Sequence, residues 1–289
     1  MERFVEAAPA KINLWLNVVG RRADGYHLLD SLVAFGDLAD TVEARSSEDG
    51  LSLALDGPGA ATIAGETDNL VLKAARLLAV EAGVAANAAL HLIKRIPVAA
   101  GLGGGSADAA AALRALCRLW RVELAPERLL ALASRIGADV PMCLASRPAL
   151  VTGIGERLAT VPPLPDCALL LVNPGVSLPT RDVFAARRGG FSTAKPAGAW
   201  SDLSDFSRLL AAHGNDLAEA ATSLQPVVQE VLRALRESPA VRHAAMSGSG
   251  ATCFALYASG AEAEGAASGL PAAWWRHVGR FTSVALLRA

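Results

Sequence analysis

The chain has 289 residues, 52% of them apolar and 19% charged, with a formal net charge of −1 at neutral pH. That length holds one large domain or two ordinary ones and supplies ample material for a packed core. The near-zero charge gives no electrostatic basis for binding nucleic acid or an anionic membrane surface, and the densest apolar run, residues 167–172, is far too short to span a bilayer. Cys117, Cys143, Cys167 and Cys253 are widely spaced, without a Cys-x-x-Cys pair. Such spacing suits isolated buried thiols in a reducing compartment better than a disulfide frame or a zinc site. The first residues lack the basic, apolar pattern of a signal peptide, so the cytoplasm is the expected location.

The first third reads as β-rich. Lys11, Asn13, Trp15 and Asn17 alternate with Ile12, Leu14, Leu16 and Val18, the period of a half-buried strand. Residues 21–25 read as a turn, and 32–35, 41–44 and 51–55 as further short strands. Residues 69–81 predict a helix capped by Asp68, with an apolar face on Leu70, Leu77 and Leu78 and Gly83 just beyond. A strand over 88–93 leads into a glycine-rich loop, and a helix over 127–136 has Pro126 in its first turn and Gly137 after it. Beyond these, 167–172 reads as a buried strand, 187–198 as a solvent loop, 227–236 as a helix and 252–257 as a strand. Strands followed by helices, without regular alternation, indicate an α+β fold. A boundary is expected near 153–160, dividing the chain into 1–155 and 156–289.

Four glycines, Gly101, Gly103, Gly104 and Gly105, fall within five positions, followed by Ser106 and the alanine-rich run Ala107, Ala109, Ala110, Ala111 and Ala112. Glycine sacrifices backbone entropy, so such a cluster calls for a backbone that bends through positive φ. N–H groups gathered in that way at the start of a helix bind phosphate without a lysine. Ser106 is the expected N-cap, with a hydroxyl also suited to a phosphate oxygen or a metal. The chain has no Gly-Lys pair for a P-loop, and the last glycine of a Gly-x-Gly-x-x-Gly motif falls on Ser106. The loop therefore reads as a cradle for a nucleoside triphosphate, with a plain glycine hinge as the competing reading.

Phosphoryl transfer also needs a positive group near the transferred phosphoryl, a metal, and a group that orients the acceptor hydroxyl. Lys11 and Asn13 share the polar face of the first strand, although a lone strand lysine is more often an edge residue. Asp139, in Gly137-Ala138-Asp139-Val140-Pro141, is either a helix cap or an acceptor-orienting base. Ser247-Gly248-Ser249-Gly250 is a second small-residue loop, equally readable as a tight hairpin. Tyr26 and His27 adjoin in a glycine-containing turn, where an aromatic face and an imidazole suit a pyrimidine.

Taken in order, Pro9-Ala10-Lys11-Ile12-Asn13-Leu14, Arg22-Ala23-Asp24-Gly25-Tyr26-His27, the Gly101–Ser106 loop, the Asp139 segment and the Ser247 loop resemble the GHMP kinase superfamily. The likeness runs from Pro9 to about Phe254. It implies a ribosomal-S5 domain-2-like N-terminal domain and a ferredoxin-like C-terminal domain, with the active site in the cleft between them. It implies ATP as donor, magnesium as cofactor, and Lys11 and Asp139 as the catalytic pair. Asp139 would take the acceptor proton, while Lys11 would steady the carboxylate and the developing alkoxide. ATP would lie against Pro97, Val98, Ala99, Ala100, Gly101, Leu102, Gly103, Gly104, Gly105, Ser106 and Ala107, with Ser106 a candidate metal ligand.

Within the superfamily the resemblance is to the branch that phosphorylates a cytidine-diphosphate-linked polyol on the non-mevalonate route to isoprenoids. It implies that Asn13, Tyr26, His27, Thr180 and Phe184 hold that small-molecule substrate, with Tyr26 and His27 at the cytosine and Phe184 opposite. Ordinary helix core is the competing reading of Phe184. A second-loop contact to substrate or phosphate through Ser247, Gly248, Ser249 and Gly250 is also implied. The family loop continues Ser-Ser-Asn where this chain has Ser106-Ala107-Asp108, so Asp108 is expected to face away from the nucleotide and favour the helix start. The rival readings are a mevalonate- or homoserine-type kinase, a non-catalytic nucleotide sensor on the same scaffold and, more distantly, a Rossmann-type oxidoreductase.

Overall fold

In the computed structural model, which describes residues 2–65 and 69–282, the strands join one mixed sheet. The chain begins with β1 (Arg3–Asn13), β2 (Asn17–Arg21), the 19-residue β3 (His27–Arg45) and β4 (Leu51–Asp56). Then follow α1 (Ala60–Ile63), α2 (Leu70–Ala82), β5 (Ala88–Ile93), α3 (Gly104–Leu119), α4 (Pro126–Ile136) and α5 (Val140–Ala145). A hairpin of β6 (Ala149–Gly153) and β7 (Arg157–Thr160) leads to β8 (Ala168–Asn173). Next come α6 (Thr180–Ala186), α7 (Leu203–His213), α8 (Ala218–Leu224) and α9 (Val227–Glu237), then β9 (His243–Met246), β10 (Cys253–Tyr257), α10 (Gly260–Ser268) and β11 (Trp275–Thr282). The strand path is β4-β5-β3-β11-β8-β10-β9, with β1, β2 and β6 also on β3. Pairing is antiparallel apart from the parallel β4 and β5. Mixed strands and helices fit the expected α+β class.

Helices α2 to α5 pack on β3 and β5 in one core, and α8, α9 and α10 pack on β8 and β10 in another. A third core joins the halves: Ile12, Leu14 and Trp15 near β1 meet Leu169 and Leu171 of β8, Phe206 of α7 and Phe254 of β10. Ile96, Ala100 and Leu102 belong to it, so the glycine loop is anchored on its inner side in packed apolar material. The alanines of α3 are all within 1% of complete burial, which lets this slim helix lie close against β1 and α2.

Several expectations need correction. The alternating segment 11–18 is not one half-buried strand: β1 ends at Asn13, and both alternating sets are buried. Trp15 is covered by the ring of His213 of α7, with centroids 4.0 Å apart, and its indole N–H donates to Asp30. Tertiary packing has closed the face that looked polar. The strands expected at 32–35 and 41–44 are parts of the single strand β3, held between them by β11, where Asp37 accepts from Arg280 N and pairs with His277. Asp68 lies outside the described residues, and Asn69 caps α2 through its bond from Val71 N. Ser106 is not the N-cap of α3: Gly103, at φ +63°, takes that place, so Ser106 is the third helical residue and Asp108 lies beyond the first turn.

Candidate active site

The glycine loop gets its shape from alternating backbone handedness. Ala99, Gly101 and Gly103 all have positive φ, a sequence that turns successive N–H groups toward one side. Its carbonyls are engaged on the other side: Leu102 O accepts from Lys11 N at 2.8 Å, and Ala100 O accepts from Thr252 Oγ1 at 2.6 Å. The first helical N–H groups, of Gly104, Gly105 and Ser106, have no intrahelical acceptor and point out of the helix start. Ala107 differs, since its N–H closes the first turn on Gly103 O and its side chain is buried. The run of free amides thus ends at Ser106.

The second small-residue loop braces the first. A Cβ on Gly101 would lie 2.3 Å from Gly250 O, so the two loops touch backbone to backbone. Ser247 Oγ accepts from Asn13 N, and Ser249 Oγ bonds Thr180 Oγ1 at 2.9 Å, at the start of α6. Asn215 donates to Met246 O and Gly248 O and holds this loop from behind. Pro97 to Ser106, Gly248, Ser249, Thr180 and Phe184 all line one cavity of about 460 Å³, which Ser247 and Gly250 back from outside.

Lys11 and Asp139 meet in the wall of that cavity. The register of β1 on β3 slips between Pro9 and Lys11, next to the residue whose N–H reaches the loop at Leu102 O. Lys11 Nζ lies 3.2 Å from Asp139 Oδ2, with the lysine buried and the carboxylate 39% exposed. Asp139 stands at the head of α5 without making a side-chain cap bond, so its carboxylate is free to face the cavity. Gly103 lies between them and the loop, where a Cβ would approach Lys11 Cε at 3.0 Å and Asp139 Oδ2 at 3.9 Å. Asn13 accepts from Lys11 Nζ at 2.8 Å and donates to Ser31, so it orients the ammonium. Buried Arg114 of α3 bonds Glu6 of β1 and the Cys143 carbonyl of α5, fixing the two elements that carry the pair.

The aromatic group is assembled differently from the expectation. His27 stacks on Phe184, with centroids 4.8 Å apart and planes 22° from parallel. Phe184 lines the cavity and packs its other side on the second core. Burial first, then Arg21 and Arg187, hold the His27 pKa below the usual histidine value, which favours a neutral imidazole. Tyr26 is 58% exposed and lies outside the cavity wall.

Lys94 and Asp40, both near the loop, escaped the sequence reading. Lys94, at the end of β5, sits between Asp40 and Asp108, all three buried. Among 27 Lys and Arg residues only Lys11, Lys73, Lys94 and Lys195 are lysine. Retention of lysine three positions before the loop in an arginine-rich chain was the available signal.

The sequence pattern of the GHMP kinases N terminal domain matches residues 69–147, and that of the GHMP kinases C terminal matches 194–276. The chain belongs to the GHMP kinase family. As a GHMP kinase it is a phosphotransferase that acts on a small molecule. It is 50% identical to the 4-diphosphocytidyl-2-C-methyl-D-erythritol kinase of Rhodospirillum rubrum over 96% of this chain and 93% of the relative. It is 53% identical to the enzyme of that name from Paramagnetospirillum magneticum over 95% and 97% of the two chains. A crystal structure of 4-(cytidine 5′-diphospho)-2C-methyl-D-erythritol kinase superimposes with a TM-score of 0.78, at 36% identity over 97% of this chain and all of that one. Homoserine kinase from Cytophaga hutchinsonii superimposes with a TM-score of 0.77 at 19% identity, covering 98% and 95% of the chains. That second likeness shows the fold and leaves the acceptor to be argued from the site. No helix among the described residues is long and apolar enough to cross a membrane.

Proposed function

We propose that this GHMP kinase transfers the γ-phosphoryl group of ATP to the 2-hydroxyl of 4-diphosphocytidyl-2-C-methyl-D-erythritol, a step in isoprenoid precursor synthesis. The observation that carries the reading is the Lys11–Asp139 pair, 3.2 Å apart in the wall of the cavity that the glycine loop also lines. The names of the relatives supply the acceptor. In this reading the ribosomal-S5-like N-terminal domain and the ferredoxin-like C-terminal domain flank the cleft, with 1–155 and 156–289 as their spans.

The free amides from Gly101 to Ser106 receive the triphosphate, and Ile63, Leu70 and Val98 offer the adenine an apolar wall on the same cavity. Asp139 accepts the proton of the acceptor hydroxyl as oxygen attacks phosphorus. Lys11, oriented by Asn13, offsets the negative charge that grows on the attacking oxygen. Magnesium fits as a cation that arrives with the nucleotide: no three His, Cys, Asp or Glu side chains among the described residues form a cluster to hold one, while the Ser106 hydroxyl has no protein partner there. Ser106 would hold it, and the ion would neutralise the phosphate oxygens.

For the acceptor, Phe184 offers one open ring face, and His27 now covers it. Cytosine takes that face, His27 shifts to the base edge as a neutral hydrogen-bonding partner, and exposed Tyr26 closes over the other side. Thr180 and the Ser247–Gly250 loop border the polyol diphosphate, and Asn13 acts mainly through Lys11. An acceptor without a nucleobase, as in homoserine- or mevalonate-type kinases, gives this aromatic group nothing to recognise. An ATP-consumption assay with acceptors carrying and lacking the cytidine group tests the reading. Turnover confined to the cytidylated acceptor supports it, and equal turnover of both refutes the base site.

A further inference from the structure

We propose that Lys94 is a positioning residue for the nucleotide's triphosphate: clamped by Asp40 and Asp108 behind Gly104, its ammonium fixes the first amides of α3 in the direction that receives the phosphates. The proposal rests on the reading of the glycine loop as the triphosphate cradle.

The geometry is tight. A Cβ on Gly104 would lie 2.9 Å from Lys94 Nζ and 3.7 Å from Asp40 Oδ2, so the ammonium presses on the backbone of the first residue of α3. Lys94 is 3% exposed, and both Lys94 and Asp108 border the nucleotide cavity. Lys94 Nζ bonds Asp40, and Asp108 Oδ2 at 2.8 Å. Asp40 Oδ1 also accepts from the backbone N–H groups of Arg95 and Ile96, which ties the clamp to the chain entering the loop. The ammonium therefore has one position, directly behind the amides that face the phosphates.

The two aspartates are not equivalent. Asp40 is held by the ammonium and two amides, whereas Asp108 Oδ1 is buried with no hydrogen-bond partner. Burial, followed by the opposing effects of Lys94 and Asp40, pushes the Asp108 pKa up to about 8. Lys94 and Asp40 are the charged groups that face Asp108 from β5 and β3. Cys143 of α5 is the next titratable neighbour, and burial raises its pKa well out of range. The other charges packed on α3 are engaged elsewhere: Lys11 with Asp139, Glu6 with Arg114, and Lys73 with the Ile136 carbonyl.

Isothermal titration with magnesium-ATP and, separately, with adenosine tests this in the absence of any acceptor. Lys94→Met is expected to weaken ATP binding at least tenfold and leave adenosine binding within twofold of the parent. Lys94→Gln should weaken ATP binding by a similar factor with adenosine binding again within twofold, which keeps the test decisive if Lys94→Met does not fold. Unchanged ATP affinity in both Lys94 variants, or an equal loss of adenosine binding, would overturn the proposal. Failure of the parent itself to bind ATP would instead overturn the nucleotide reading.

Discussion

Lys11 and Asp139 lie on different secondary elements, yet their charged atoms approach to 3.2 Å, and Gly103 is the residue that lets them do so beside the loop. An alanine at 103 would stand 3.0 Å from Lys11 Cε, so the ammonium reaches the carboxylate only past a missing side chain. The glycine loop and the charged pair are one assembly rather than two adjacent motifs.

Asp139→Asn keeps the shape of the acceptor partner but removes its basicity. We expect kcat to fall about 10²–10⁴-fold, with KM for ATP within a factor of three. Lys11→Met should lower kcat about 10²–10³-fold by removing the compensating charge. Steady-state kinetics with ATP varied at saturating acceptor checks both, and a predominantly KM effect in either would assign that residue to ground-state binding.

Gly101→Ala introduces a Cβ 2.3 Å from Gly250 O at a residue with φ +74°. The left-handed backbone alone costs a non-glycine residue about 1–3 kcal/mol, and the overlap must push the two loops apart. The expected result is a lower Tm together with a KM for ATP raised tenfold or more. A variant with both quantities unchanged would show that the loops are not braced in this way.

Tyr26→Ala should weaken binding of the cytidylated acceptor by about 1–3 kcal/mol if the ring stacks on the base, without altering ATP affinity. Phe184→Ala should do the same and also free His27 from its stack. Equilibrium titration with the acceptor, followed through the His27 imidazole resonances, reports both effects.

Asp108 links stability to pH. Its carboxyl titrates near pH 8 in the fold against an ordinary value of 3.8, so between those values the folded state binds more protons than the unfolded one. Its contribution to stability is therefore greatest at the acid end of that window and declines as pH rises to 8. Lys94, whose pKa is raised by its two carboxylates, stays charged throughout and adds no slope there. Urea unfolding between pH 5 and 8 should show a smaller alkaline decline for Asp108→Asn than for the parent, by at most about 1.4 kcal/mol per pH unit. Parallel curves would mean that Asp108 is ionised in the fold.

What the sequence made legible was whatever depends on short-range pattern. Helix α4, with Pro126 at its start and Gly137 after it, and strand β5 lie within a residue of their expected bounds. The charged pair was legible as residues with competing readings, and resemblance ranked them. What failed was local propensity where tertiary contacts decide. Ser106 has the chemistry of a cap, but the nest requires positive φ at Gly103 and moves the helix start to Gly104. Residues 32–35 and 41–44 read as two short strands until β11 supplies partners for Asp37 between them. Trp15 and Asn17 look half-exposed until α7 covers them. Lys94 stands out in the sequence only as a rare lysine, because its partners come from β3 and α3.

The most direct test follows the acceptor by ³¹P NMR during incubation with magnesium-ATP and 4-diphosphocytidyl-2-C-methyl-D-erythritol, using the parent enzyme and Asp139→Asn in parallel. A new phosphomonoester on the 2-hydroxyl, formed by the parent and nearly abolished in the variant, is the predicted result. No such ester with the parent, or an equal rate of its formation by Asp139→Asn, would contradict the account.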